Sequence, residues 1–350
     1  MHLNILLPFK KAEYHSYLEE IRKYSQHVFV YDSYKNYNPN YKIVNFHWPE
    51  TIFNWQEPTQ SDLEDLEKTI KIWRKSAIIV YTKHDFERTK GTTPNFTKLF
   101  EIIEQNTDVF IHLGEYSKRF YEKKYPKAKH EIVYHPIFEN SFEVYPKTAA
   151  RNLLGIDQNA LVVIAPGKIR SFKERNMVLK SFKALKTENK VLISTNMRTE
   201  LRFDFPGRVR LRKYFDVQRF FIKKFKEKYQ PPGYFFSYAP LANEELALQM
   251  SAADVVLVPR IDLLNSGIVL LGFTFGKVTV GPAIGNIEEQ LKELNFPVFD
   301  PNSISSVTEA LEKGIKLHLS GEYSGSTLAK YLPINVAKEY DRIFFKYKKQ

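Results

Sequence analysis

VVLVP at 255–259, then NSG at 265–267, the apolar run IVLLGFTF at 268–275 and GK at 276–277 form the stretch on which the reading of this chain turns. The first segment, ending at Pro259, reads as a strand covered on both faces, because it shows no polar alternation. Asn265, Ser266 and Gly267 make a small-residue turn that opens a helix. The first N–H groups of such a helix lack intrahelical partners and lie at the positive end of its dipole, which suits phosphate. Many α/β proteins use this turn only to redirect the chain, so its meaning depends on a second site upstream.

That site is PGKIRSFK at 166–173. It follows LVVIA at 161–165, another apolar run, and precedes residues 176–185, where Met177, Leu179, Phe182 and Leu185 outline one face of a helix. Gly167 permits close backbone approach. Lys168, Arg170 and Lys173 place three cations on one strand-to-helix loop, and an Arg fork beside a Lys point charge suits a diphosphate. For any one of these cations, a solvated basic loop is the alternative.

The order of these parts resembles the nucleotide-sugar half of GT-B glycosyltransferases, in particular the bacterial group that builds capsular and exopolysaccharides (glycosyltransferase group 1, family 4-like). Gly167, Arg170 and Lys173 match the family's diphosphate loop. Ala252-Ala253-Asp254 through Pro259 match its alanine-alanine-aspartate and following strand. Asn265-Ser266-Gly267 match the loop that contacts donor sugar and phosphates, and Gly276-Lys277 through Val280 match the glycine-lysine turn. The resemblance covers most of the chain. It implies two doubly wound Rossmann-like domains facing a cleft, with a C-terminal helix crossing back to the first. One departure is clear: where many retaining members carry two glutamates, this chain has Leu263 and Leu271, with Asp262 adjacent. The stereochemical outcome and the grip on the ribose are therefore left open.

Composition agrees. A chain of 350 residues exceeds what one core normally serves. The expected division is an acceptor domain over 1–145, a donor domain over 146–332 and a crossing helix within 333–350. With no cysteine, disulfides and thiolate metal sites are excluded, which fits a reducing compartment. The opening MHLNILL, soon interrupted by Pro8 and Lys10-Lys11, is too short for a signal peptide, and no run approaches a membrane span. A cytoplasmic location is expected, peripheral on the inner membrane face if the acceptor is lipid-linked.

Short apolar runs alternate with helical patterns, as in βαβ units. Strands are expected at 3–7, 28–31, 43–46, 77–81, 109–113 and 132–134, then at 161–165, 191–194, 209–211, 234–236, 255–258 and 278–281. Helices are expected at 62–75, 116–125 and 333–347, the last with Val336, Tyr340, Ile343 and Phe344 on one face.

Ligand loops of such domains lie at the carboxyl ends of the strands. On the first domain, Thr82-Lys83-His84-Asp85 resembles the family's threonine-x-histidine turn, whose histidine points at the donor sugar. His84 is thus a candidate to bond a sugar hydroxyl or serve as general base. Glu50, in FHWPE at 46–50, is the alternative base, and Trp48 a candidate stacking platform; a Trp-Pro pair is more often a packed corner. On the second domain, Ser237 to Leu241 is expected beside the nucleobase, largely through backbone groups.

The net charge of +12, from 52 basic and 40 acidic residues, requires a partner or an explanation. Basic-aromatic clusters lie at 118–129 and 220–226. An anionic membrane surface is weighed for the first. For the second, an ordinary helix with Phe inward and Lys outward is expected. No nucleic-acid motif is present, and no nucleic-acid partner is expected. The resemblance implies a nucleoside-diphosphate-sugar as donor substrate, a glycan or lipid-linked glycan acceptor, and neither cofactor nor metal. A non-catalytic nucleotide- or glycan-binding protein is the alternative, given the two missing glutamates.

Overall fold

The computed structural model describes residues 2–11, 16–88, 91–199, 217–322 and 325–349. Two six-stranded sheets organise the chain, and every strand pair is parallel. The first sheet holds β1 (Asn4–Leu7), β2 (Val28–Tyr31), β3 (Ile43–Phe46), β4 (Ile78–Lys83), β5 (Val109–His112) and β6 (Lys129–Ile132), in the order β2-β1-β3-β4-β5-β6. The second holds β7 (Leu161–Lys168), β8 (Lys190–Asn196), β9 (Tyr234–Phe236), β10 (Val255–Leu257), β11 (Val278–Pro282) and β12 (Val298–Phe299), in the order β12-β11-β10-β7-β8-β9. Counted from β7, this is the doubly wound dinucleotide order, with its switch point between β7 and β10. The expected strand at 209–211 lies outside the described residues.

The helices are α1 (Ser16–Arg22), α2 (Gln60–Trp73), α3 (Pro94–Asn106), α4 (Glu115–Lys124), α5 (Lys147–Leu154), α6 (Phe172–Ala184), α7 (Val217–Lys228), α8 (Asn243–Ala252), α9 (Gly267–Thr274), α10 (Gly285–Glu293), α11 (Ile304–Ser320) and α12 (Pro333–Tyr347). Local chemistry sets their starts. Thr59 and Asp62 form a reciprocal capping box at α2, and Thr93 caps α3 ahead of Pro94. Each sheet carries an apolar cluster on either face, which closes two separate cores.

The last helix returns to the first core. Val336, Ala337, Tyr340, Ile343 and Phe344 of α12 are buried with Leu18 and Ile21 of α1. Fully burying one such large apolar side chain contributes roughly 1.5–3 kcal/mol, so α12 is firmly held. Helix α7 departs from expectation in part. Phe225 packs against the second core, but Phe220 and Phe221 are exposed beside Lys223 and Lys224.

Candidate functional site

The carboxyl ends of the two sheets face each other across a cleft. A cavity of 320 Å³ lies there, lined by Asp85, Phe86 and Arg88 from the first half and by Arg170, Glu174 and Leu263 among others from the second. Its volume falls in the range usual for small-molecule sites.

On the second sheet, the two loops singled out from sequence meet. Gly167 has φ +77°, a conformation that favours glycine, and a Cβ there would also be tight, 3.2 Å from Ile268 Cδ1 and 3.3 Å from Arg260 Nη2. Strand β7 runs on through Lys168, which is therefore an exposed strand-end residue and not a loop residue. Arg170 lines the cavity, and its guanidinium makes no ion pair among the described residues. The backbone around it is fixed: its N–H donates to Glu174 Oε2 at 2.5 Å, and its carbonyl accepts from Arg198 Nη1 at 2.6 Å. Lys173 is exposed and donates to Asn302 Oδ1 at 2.5 Å, away from the cavity lining.

Sequence reasoning passed over Arg260. It follows β10, is buried, donates to the carbonyls of Lys168 and Pro259 at 3.1 and 3.0 Å, and lies 3.6 Å from Glu174. Burial and the neighbouring Arg170 push it down to about 10. Burial raises the carboxyl of Glu174 against the pull of Arg260 and Arg170. A cation placed at a buried strand's carboxyl end was the available signal.

Helix α9 begins at Gly267, with Ser266 buried at its N-cap and no side-chain bond closing the cap. Asn265 is committed across the cleft. Its Nδ2 donates to the carbonyl of His84 at 2.6 Å, and its Oδ1 accepts from Asn286 Nδ2 at 2.8 Å. Leu263 lines the cavity with Asp262, whereas Leu271 is buried in the core. Beyond β9, Ser237 donates its N–H to the carbonyl of Ser194 at 2.9 Å, and its carbonyl accepts from Met197 N–H at 2.7 Å. Both backbone groups of Ser237 thus continue the sheet pairing past β9. Leu241 is half-buried ahead of α8.

On the first sheet, β4 extends through Lys83, so the threonine-lysine pair is strand and the turn starts at His84. Lys83 is buried and ion-paired to Glu104 at 2.7 Å. His84 is buried and stacks on Trp48, centroids 4.2 Å apart and 17° between planes. One face of Trp48 thus serves the histidine. Glu50 is buried in the short helical turn Pro49–Phe53. Asp85 lines the cavity, and burial first, then the charge of Glu50, raises its carboxyl to about 6.

Among the described residues, no group of three or more His, Cys, Asp or Glu is placed to hold a metal ion, and no helix is long and apolar enough to cross a membrane.

Two Rossmann-like domains facing a cleft, with the last helix returning to the first, make this a GT-B fold. The chain is similar to HepE (Alr3699) of Anabaena, solved in complex with UDP-glucose, with a TM-score of 0.66 at 12% identity over 99% of this chain and 100% of that one. It is similar also to a glycosyltransferase from Rickettsia africae ESF-5, with a TM-score of 0.60 at 10% identity over 99% and 97%. A third similar structure is sucrose-phosphate synthase from Thermosynechococcus elongatus, with a TM-score of 0.62 at 12% identity over 87% and 73%. No protein-family model matches the chain, and no curated protein matches it.

Proposed function

We propose that this protein is a glycosyltransferase that moves a hexose from a UDP- or GDP-sugar to a carbohydrate acceptor, in the synthesis of a bacterial surface polysaccharide. The observation that carries the reading is Arg170. It lines the inter-sheet cavity together with Asp85, makes no ion pair among the described residues, and sits on a loop packed against the start of α9. A guanidinium and a helix N-terminus stabilise the negative charge that develops on a departing diphosphate. Donor contacts are assigned to Gly167, Lys168, Arg170, Asn265, Ser266 and Gly267, with Ser237 and Leu241 toward the base, while Lys173, held by Asn302, is given at most a minor share. His84 is assigned to the sugar, and Glu50 stands as a candidate base, to which the raised carboxyl of Asp85 is added.

With the cationic loop and α9 serving the diphosphate, the reaction runs without metal or cofactor. HepE was solved with UDP-glucose, so UDP-glucose is the first donor to try. A lipid-linked acceptor, reached from the cytoplasmic face of the membrane, is in keeping with the exposed Tyr116 and Phe120 on the lysine-rich α4.

A second reading, a non-catalytic nucleotide or glycan binder, is favoured by Leu263 at the cavity wall, where many retaining relatives place an acid. Calorimetry with UDP, GDP and UDP-glucose, alongside a turnover assay releasing the nucleotide, separates the two. Binding with turnover supports the transferase, and binding without turnover on any donor supports the binder. Wild-type affinity in the Arg170→Ala/Lys173→Ala variant would refute the assigned site.

A further inference from the structure

A line of buried polar side chains runs from the last helix to His84. Tyr17 OH lies 2.8 Å from Tyr340 OH, which lies 3.0 Å from Thr82 Oγ1. Thr82 Oγ1 is 3.3 Å from Asn45 Oδ1. On the amide's other side, Asn45 Nδ2 is 2.9 Å from His47 Nε2, and His47 Nδ1 is 3.1 Å from His84 Nε2. All six residues are buried.

Counting protons along this line fixes its direction. Three hydroxyls share three contacts. If each points toward Asn45, every hydroxyl proton has an acceptor: Tyr17 gives to Tyr340, Tyr340 to Thr82, and Thr82 to the amide oxygen. In the opposite direction Asn45 gives to Thr82, and the proton of Tyr17 is left at the buried end without an acceptor among the described residues. Orphaned buried donors are costly, so the first direction holds. Asn45 then turns its NH₂ to His47, whose Nε2 must accept. A neutral His47 so held carries its proton on Nδ1 and gives it to His84 Nε2, which leaves the proton of a neutral His84 on Nδ1.

We infer that Asn45 and His47 are positioning residues that hold His84 as its Nδ1–H tautomer, so that the cleft histidine is a hydrogen-bond donor at Nδ1 and not a base there. The stack on Trp48 fixes the plane of the ring. His47 meets the ring of His84 and Asn45 acts through His47, and the two set its role without being catalytic residues themselves. This deepens the transferase reading, on which only the identity of the bonded ligand rests. A sugar hydroxyl oxygen is what a donor of this kind recognises, and proton removal falls to another group of the cleft.

The test is long-range ¹⁵N–¹H correlation on histidine-labelled full-length protein, with His84→Gln and His47→Gln used to assign the two rings. The expected result in the wild type is a protonated Nδ1 and a bare Nε2 on both rings. A proton on Nε2 of either ring would overturn the inference. In Asn45→Asp, nearly equal in size, the carboxylate accepts on both sides. At a pH where the spectra show both rings neutral, the two tautomers should then reverse and His84 should gain its proton at Nε2. Rings unchanged under that condition would remove Asn45 as the determinant. Titration with UDP-glucose is read separately: tautomers as inferred, with no shift at His84 on saturation, would sink the transferase reading and leave the positioning intact.

Discussion

Replacing Asp85 by Asn should stabilise the protein near neutrality and have little effect in acid. The carboxyl is raised from 3.8 to about 6, by burial first and by Glu50 second, with Lys83 and Arg170 pulling the other way. At about 1.4 kcal/mol per pH unit, that difference amounts to roughly 3 kcal/mol. The native state binds this proton more tightly than the unfolded chain does. Between about pH 4 and 6 stability therefore falls as pH rises, and above that range the whole cost remains. That net figure already includes the attraction to Lys83 and Arg170; an amide avoids the cost but still buries a polar group, so a gain of about 1–3 kcal/mol is expected at about pH 7.5. Urea denaturation followed by tryptophan fluorescence, at about pH 4 and 7.5, reads the difference as a displaced midpoint. Equal midpoints at neutrality, or a gain that persists undiminished in acid, would refute the reasoning. If Asp85 also serves the reaction, the same variant should be more stable and slower, because strained active-site groups trade stability for function.

Arg170→Ala alone should weaken UDP binding by about 10- to 100-fold, the worth of charge-assisted hydrogen bonds, whereas Lys173→Ala, whose amine is occupied by Asn302, should change it by less than about threefold; calorimetry on the two single variants decides. Glu289 accepts the N–H groups of Glu115 and Tyr116 at 2.6 and 2.9 Å, so Glu289→Ala should speed their hydrogen exchange by about tenfold, and unchanged protection at the start of α4 would show that this contact does not hold the halves together. Lys83→Met should cost about 3–5 kcal/mol by leaving Glu104 short of a buried partner, and adding Glu104→Gln should recover most of it; denaturant midpoints of the single and double variants test both statements.

The strands that were easiest to read are short, mostly apolar or aromatic runs, whether buried throughout as at 43–46 or partly exposed at a sheet edge as at 28–31 and 234–236. The segments at 28–31, 43–46 and 234–236 have in the structure the bounds expected from sequence, as does the helix at 333–347. Polar sequence at an edge hid β6, where Lys129, His130 and Glu131 carry the pairing with β5 and the apolar signal comes only at its end. The two-residue β12 was too short to register. In the cleft, sequence marked which loops face it but not which side chains are free. Lys173 and Asn265 are engaged by Asn302, by His84 and by Asn286, each distant in sequence. Asp85 belongs to a turn that the sequence marks, yet its raised carboxyl depends on burial and on Glu50, and neither follows from spacing. Chemistry that depends on the partner across a fold is not legible until the fold is known.

The two halves are joined by two different kinds of contact, and the difference bears on motion. Helix α12 is fastened to the first core by apolar burial, which opens only at a cost comparable to local unfolding. The cleft-side contacts are polar: Asn265 to the carbonyl of His84, Asn286 to Ser117, and Glu289 to the first amides of α4. Each such bond nets only about 0.5–1.5 kcal/mol against water, so the differential affinity of one bound ligand suffices to shift the closed state. Asn265 belongs to both sides of this balance, because it precedes the phosphate-type turn at Ser266-Gly267 and holds the backbone of His84. A ligand that reorients that turn must strain or release the Asn265 bond. The turn and the histidine loop are thereby energetically linked through one short side chain, and by reciprocity whatever His84 binds alters the turn to the same degree.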